Sequence, residues 1–425
     1  MSRHRPHQRA NYRVEARKKI DCYKIRMHSS KLFSAILAAG AASLVSAADS
    51  CSKEIKVTTP NPTISCEVVN ADIIVDESVA GDLILNGPKQ IKGDLIVNNA
   101  TQLISIQSNT INAITGKFQL DSLELLSSVN MQALKTLNEL NMVKLPQLNS
   151  LIFGTTGVTK ASSIQITDTF LSDLSGLNIN SVDTLTITNN NKLTAFNSDL
   201  VNITKLLSVS SNGNNMEINM TKLQSAAEIQ LSNVKSFLVP SLKTISQSLK
   251  FDANPSLKTF SAKNVTKIGD SVTFINNNKL TNVSFPLLTS VGDLTIQNNT
   301  AMDAIEGFPK LETVAGGVIL RGNFDTVELP SLKDVKGGVT VYSTTDISAF
   351  CGFFDNAKRK KIIQGQESCK SNVKAANEGG SDGDSSTSSG KNGSSGNDTD
   401  NAVAALSVNN MLLGASVLAG MAQLW

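Results

Sequence analysis

Four cysteines stand in two pairs, Cys51 with Cys66 and Cys351 with Cys369, and between the pairs there is no other cysteine. Neither pair has the short Cys-x-x-Cys spacing that a zinc site uses. In an oxidising compartment such residues close as disulfides. The local pairings Cys51–Cys66 and Cys351–Cys369 are the expected ones, each closing a short loop worth about 3 kcal/mol; the two crossed connectivities remain open. The three histidines, His4, His7 and His28, all lie near the N-terminus, and the one tryptophan, Trp425, is the last residue. Past residue 28 there is therefore no imidazole for a Ser-His-Asp or Cys-His unit or for a His metal site. Carboxylates alone can hydrolyse glycosides when two of them stand about 5–10 Å apart. No acidic pair stands out here from ordinary surface charge, and Tyr342 is the single tyrosine past residue 23, so aromatic platforms for sugars or bases are scarce. The expectation is no catalytic residue, no cofactor and no metal.

The second chemical signal is the Asn-x-Ser/Thr acceptor for N-glycans. It occurs at Asn99, Asn202, Asn219, Asn264, Asn282 and Asn298, and again at Asn392 and Asn397, whereas Asn61 and Asn254 are followed by Pro and are blocked. A chain rich in Asn and Thr supplies several by chance, so which are occupied stays open.

Such residues need a scaffold, and the chain between the cysteine pairs repeats. Leu185-Thr186-Ile187 precedes Asn190, Leu249-Lys250-Phe251 precedes Asn254, and Val272-Thr273-Phe274 precedes Asn277. Leu294-Thr295-Ile296 precedes Asn299, Val318-Ile319-Leu320 precedes Asn323, and Val339-Thr340-Val341 closes the series. From Leu249 the steps are 23, 22, 24 and 21 residues. A Pro-x-Leu element keeps the same beat at Pro240, Pro286, Pro309 and Pro330, with Ala262 in the missing slot. This period signals a solenoid, and the alternating apolar residues signal short strands with one face inward. The recurrent Asn suits a corner, because its amide bonds open backbone groups and tolerates left-handed φ. Gly269, Gly292, Gly316, Gly317, Gly337 and Gly338 mark further corners. The fold class expected is mainly β, a right-handed parallel β-solenoid with disulfide-bonded caps. The segments Gly81–Leu85 and Gly93–Val97, only 12 apart, suggest an N-terminal cap. Residues 117–165 repeat weakly, which suggests two lobes joined near 170–200. A short helix around Phe350–Ile363 would lid the last turn; its Lys358–Lys361 run reads as a solvated helix C-terminus, with contact to anionic headgroups or phosphate-bearing glycans as the alternative.

Both termini read as processing signals. The apolar run Leu32–Val45 follows Lys31 and ends in small residues, so residues 1–47 are expected to be a leader and signal peptide, cleaved after Ala47 or Ala48. The long basic stretch before Met27 suggests Met27 as the true start. At the other end, residues 402–425 carry no charge and follow a Ser/Gly-rich stalk, 371–401. That is the pattern of a glycosylphosphatidylinositol (GPI) attachment propeptide, with Asn401 as the anchor residue and Asn397 or Gly396 as alternatives. Trimming both ends leaves 29 basic against 34 acidic groups, a net charge of about −5 in place of the +3 of the full chain. Attraction to nucleic acid is not expected of such a surface.

The cysteine pairs, the GPI-type tail and repeats such as Ile268-Gly269-Asp270-Ser271-Val272-Thr273-Phe274-Ile275-Asn276-Asn277-Asn278 resemble the fungal sporulation-specific and cell-wall-organisation family of GPI-anchored proteins. The repeats are similar to the L domains of insulin and epidermal growth factor receptors. The resemblance covers roughly residues 48–425, with 48–370 as the solenoid. It implies a non-enzymatic, extracellular glycoprotein on the plasma-membrane outer leaflet and in the cell wall. Its partners would be wall polysaccharides or wall glycoproteins, and the membrane through a GPI lipid. A receptor-like or adhesive module for a peptide or glycan, and a wall-remodelling carbohydrate enzyme, are the competing readings.

Overall fold

The computed structural model describes residues 51–377. The leader, most of the stalk, Asn392, Gly396, Asn397, Asn401 and the propeptide lie outside the described residues. The described chain is a mainly-β parallel solenoid of about 13 turns with 4% helix, and it divides into two compact units between Ser162 and Ser163. The sequence places a joint at 170–200; that stretch belongs to the opening turns of the second unit.

In the second unit the turns from Thr244 to Val327 follow one plan, whereas Ser181–Thr188, Asn202–Ser210 and Ser225–Leu231 each run its first two segments as one strand. A two-residue strand such as Thr244–Ile245 leads into a longer one, Leu249–Asp252; a corner follows, then a back strand, Thr259–Ser261. Successive turns pair in parallel: Leu249 lies beside Val272, Val272 beside Leu294, Leu294 beside Val318 and Val318 beside Val339. The 23, 22, 24 and 21 residue steps are thus the register itself. Because side chains alternate across a strand, Leu249 and Phe251 face inward while Lys250 and Asp252 face out. Phe251 stacks on Phe274 at 4.9 Å between ring centroids, and Phe285 on Phe308 at 5.3 Å. All four are fully buried, each adding about 2–3 kcal/mol of apolar burial.

The corner asparagines stack from turn to turn in two columns. The residue in left-handed φ is the one before: Asn189, Asn233, Ala253, Asn276 and Asn298 all have φ between 54° and 60°. The buried member follows it. Asn277 donates its backbone N–H and its Nδ2 to Asn299 Oδ1, at 2.9 and 3.0 Å, and Nδ2 also reaches the Phe251 carbonyl at 3.1 Å. Asn254 repeats this on Asn277, and Asn190 on Asn212. Val234 interrupts the column, its backbone N–H alone reaching Asn254 Oδ1. Asn323 stands outside the column: it is half-buried, donates to Thr300 O and accepts from Thr344 and from Asn377.

The remaining corners have local causes. In Val239-Pro240-Ser241-Leu242 the Leu N–H closes on the Val carbonyl at 3.1 Å, and the same bond recurs at Phe285–Leu288, Phe308–Leu311 and Leu329–Leu332. Pro occupies the second position of these turns, where its fixed φ fits. The glycines serve close approach instead of positive φ. A Cβ on Gly269 would lie 2.0 Å from Ser246 O, and one on Gly292 2.2 Å from Asp270 O.

The first unit uses the same plan with different corners. Ile73 lies beside Leu95, Leu95 beside Phe118 and Phe118 beside Leu140. Its left-handed residues, Asn99, Ser122 and Lys144, are followed by buried Ala100, Leu123 and Leu145. Aliphatic side chains fill the place that asparagine holds in the second unit, which is why residues 117–165 repeat so weakly. The two Gly-Asp segments are not a cap. Gly81–Ile84 is a back strand paired with Leu103–Ser108, whereas Leu95–Asn98 is the longer strand of the next turn, paired with Ile73–Val75 on the opposite side.

Both cysteine pairs are joined locally, Cys51 to Cys66 and Cys351 to Cys369, with Cα separations of 5.8 and 5.4 Å. At the C-terminal end a helix, Ser348–Arg359, buries Phe354 and Ala357 and carries Lys358 and Arg359 in its last turn. Val339–Ser343 does not close the series: one more rung, Glu367–Lys370, pairs with it and brings Cys369 beside Val341. The second disulfide therefore bolts the helix to the final rung.

Candidate interaction surfaces

The outward side of the longer strands in the second unit is an extended surface. Register places Gln165, Thr186, Ser208, Gln230, Lys250, Thr273, Thr295, Ile319, Thr340 and Ser368 in one column. With rungs about 4.8 Å apart the column runs ~43 Å. Hydroxyls and amides dominate it, and every one can both donate and accept. The flanking column ends in an aromatic–cation cluster, where Arg321 and Lys370 sit 5.0 and 5.2 Å from the Tyr342 ring.

No sequon among the described residues falls on that column. Asn99 and Asn298 occupy left-handed corners. Asn264 lies in the Ala262–Val265 turn, and Asn219 and Asn282 are on back strands. Asn202 starts its strand beside Ser181 and Ser225, on the short-strand segment. Their environments differ. Asn99, Asn264 and Asn282 are exposed, and Asn264 donates Nδ2 to Pro240 O at 2.8 Å. Asn219 is half-buried with Oδ1 enclosed, Asn202 accepts from Ser225 Oγ, and Asn298 donates Nδ2, the glycan-bearing atom, to Asn276.

Carboxylates gather around Lys56 near the N-terminal end, where Glu54, Asp76 and Glu77 surround its ammonium, and again at the C-terminal cap. Burial pushes the Glu367 carboxyl up, helped by the neighbouring Asp355, which shares a hydrogen bond with it. A cleft of about 580 Å³ opens on the other side of the helix. Leu329, Ile347, Phe350 and Phe353 give it apolar walls, and Asp325, Glu328 and Asp346 border it. Hydrogen bonds from Ser348 hold the Asp346 carboxyl below its usual range. An acid poised to give up a proton requires a raised pKa next to the substrate. The raised carboxyl, Glu367, does not line the cleft, and Asp346, which does, is held low. Among the described residues no cluster of His, Cys, Asp and Glu forms a metal site, and no helix is long and apolar enough to cross a membrane.

No protein-family model matches the chain, and no solved structure matches it. Curated relatives do. The chain is 34% identical to Protein ecm33 of Aspergillus fumigatus over 330 residues, covering 72% of this chain and 76% of that protein. It is 31% identical to the Cell surface GPI-anchored protein of Arthroderma benhamiae, over 72% of this chain and 78% of that one. It is 29% identical to Sporulation-specific protein 2 of Saccharomyces cerevisiae, over 73% and 62%.

Proposed function

The chain belongs to the fungal family of Ecm33-type and sporulation-specific cell-surface proteins, and from that premise we propose that it supports cell-wall organisation as a non-enzymatic surface scaffold. The observation that carries the reading is the sequon-free polar column from Gln165 to Ser368. Glycans at Asn99, Asn264 and Asn282 would leave it bare. A straight ladder of hydroxyls and amides suits an extended polysaccharide, whose own hydroxyls repeat along a line. In this reading the disulfides hold the coil closed outside the cell, and a GPI lipid on Asn401, or on Asn397 or Gly396, tethers it to the outer leaflet. Names of relatives support this location: one is called a cell surface GPI-anchored protein, and a Schizosaccharomyces pombe relative is called a cell wall protein.

The test is co-sedimentation of the purified full-length glycoprotein with isolated wall glucan and chitin. Binding is expected to be retained when Glu328 or Asp346 is neutralised. It should be lost when a glycan is forced onto the column by the paired substitutions Thr273→Asn and Ile275→Ser, which create an acceptor sequence without touching the inward residues.

A further inference from the structure

The cap cleft is not absorbed by the polar column. Its lining side chains offer hydrogen-bond acceptors but almost no donors. Asp325, Glu328 and Asp346 are carboxylates, and the one hydroxyl, on Thr326, is already spent on Asp325. No amide or cationic side chain lines it among the described residues. A neutral sugar both gives and takes hydrogen bonds and would find half of its requirements unmet. The walls are apolar: Phe353 is 37% exposed, and Phe350 lies nearly parallel to it at 5.9 Å. Apolar walls under an acidic border complement a ligand that is apolar and cationic together, and the volume lies within the range of small-ligand and side-chain pockets.

We propose that this cleft docks a basic segment of another protein, one that inserts an aliphatic or aromatic side chain between Leu329 and Phe353 while flanking Lys or Arg residues meet Asp325, Glu328 and Asp346. The chain's own continuation is the wrong occupant. Residues 378–401 hold five acidic residues against one Lys and no apolar side chain. The proposal stands apart from the wall-scaffold reading: it concerns the other side of the cap, and either can fail alone.

The experiment is fluorescence anisotropy on the purified full-length glycoprotein. The probe is a labelled eight-residue peptide alternating Lys with Leu and Phe. Two controls replace Lys by Glu, or Leu and Phe by Ser. Saturable binding is expected for the probe alone, weakening with salt. It should fall about tenfold in the Asp325→Asn, Glu328→Gln double variant, and again in Phe353→Ser, with thermal unfolding of both variants unchanged. The proposal is overturned by any of four results: no saturable binding; equal binding of the Glu-containing control; the same affinity in the double variant; or displacement of the probe by neutral glucan oligosaccharides. Self-association that competes with the probe and disappears in Lys360→Gln, Lys361→Gln would assign the cleft to a second copy of this chain and overturn it as well.

Discussion

At the residue scale the buried amide column separates asparagines that look alike in sequence. Asn277→Ala removes the amide that bridges the turns of Asn254 and Asn299, and it strands the Phe251 carbonyl in a dry corner. Loss of buried bonds of this kind costs roughly 2–4 kcal/mol, whereas Asn323→Ala should cost under about 1 kcal/mol, because its partners reach solvent. Urea unfolding of the two variants side by side checks the difference. Ala253 is the weak member of the outer column: it holds φ 54° where its neighbours in adjacent turns are Asn233 and Asn276. Ala253→Asn should therefore stabilise by about 1 kcal/mol. The Glu367 carboxyl titrates above the ordinary Glu range, so the folded state holds a proton that the unfolded state has already released. Its contribution is favourable at low pH and is lost as pH rises through the raised value. Glu367→Gln should raise the melting midpoint near neutral pH and leave it unchanged at about pH 4. The Asn repeat itself was legible in sequence; which Asn would be buried was not. Asn276 and Asn277 differ only by which side of the corner they occupy, and Asn323 follows a strand as faithfully as Asn299 does.

At the scale of elements, close turn-to-turn approach sets the tolerance. Gly292→Ala would drive a Cβ to 2.2 Å from the Asp270 carbonyl, and this backbone is locked by the Asp293 N–H bond to Asp270 O at 2.9 Å. Overpacking of this kind costs about 1–3 kcal/mol, whereas Gly352→Ala, inside the helix with open space around it, should stabilise by about 0.5–1 kcal/mol; thermal melts of the two variants check the opposite signs. The strands from Leu249 to Val339 were readable to the residue because register and sequence step coincide. The final rung was not, since Glu367-Ser368-Cys369-Lys370 lacks the alternating aliphatics that mark the other strands. The Gly81 and Gly93 segments misled for the opposite reason: similar residues serve different sides of successive turns, and alternation alone does not say which side a strand occupies.

At the scale of the molecule, period and disulfide borders were visible in sequence because each is a local pattern repeated many times. The interaction surfaces were less so. The polar column emerges only when ten separate rungs are placed side by side, and the acid-bordered cleft joins residues near 325 to residues near 350 across the cap. Sequon positions follow the same logic, since a sequence shows acceptors and the fold shows which are reachable. Mass spectrometry of the glycoprotein should find glycans at Asn99 and Asn282, whose exposed amides are the freest of the six, and a bare side chain at the half-buried Asn219. The central claim is that the bare polar column does the work at the wall. In cells deleted for the gene and challenged with a wall-perturbing dye, the wild-type chain and a Glu328→Gln chain should restore growth. The Thr273→Asn, Ile275→Ser chain, displayed on the surface in equal amount and carrying its extra glycan, should not. Full rescue by that glycan-blocked chain would contradict the account.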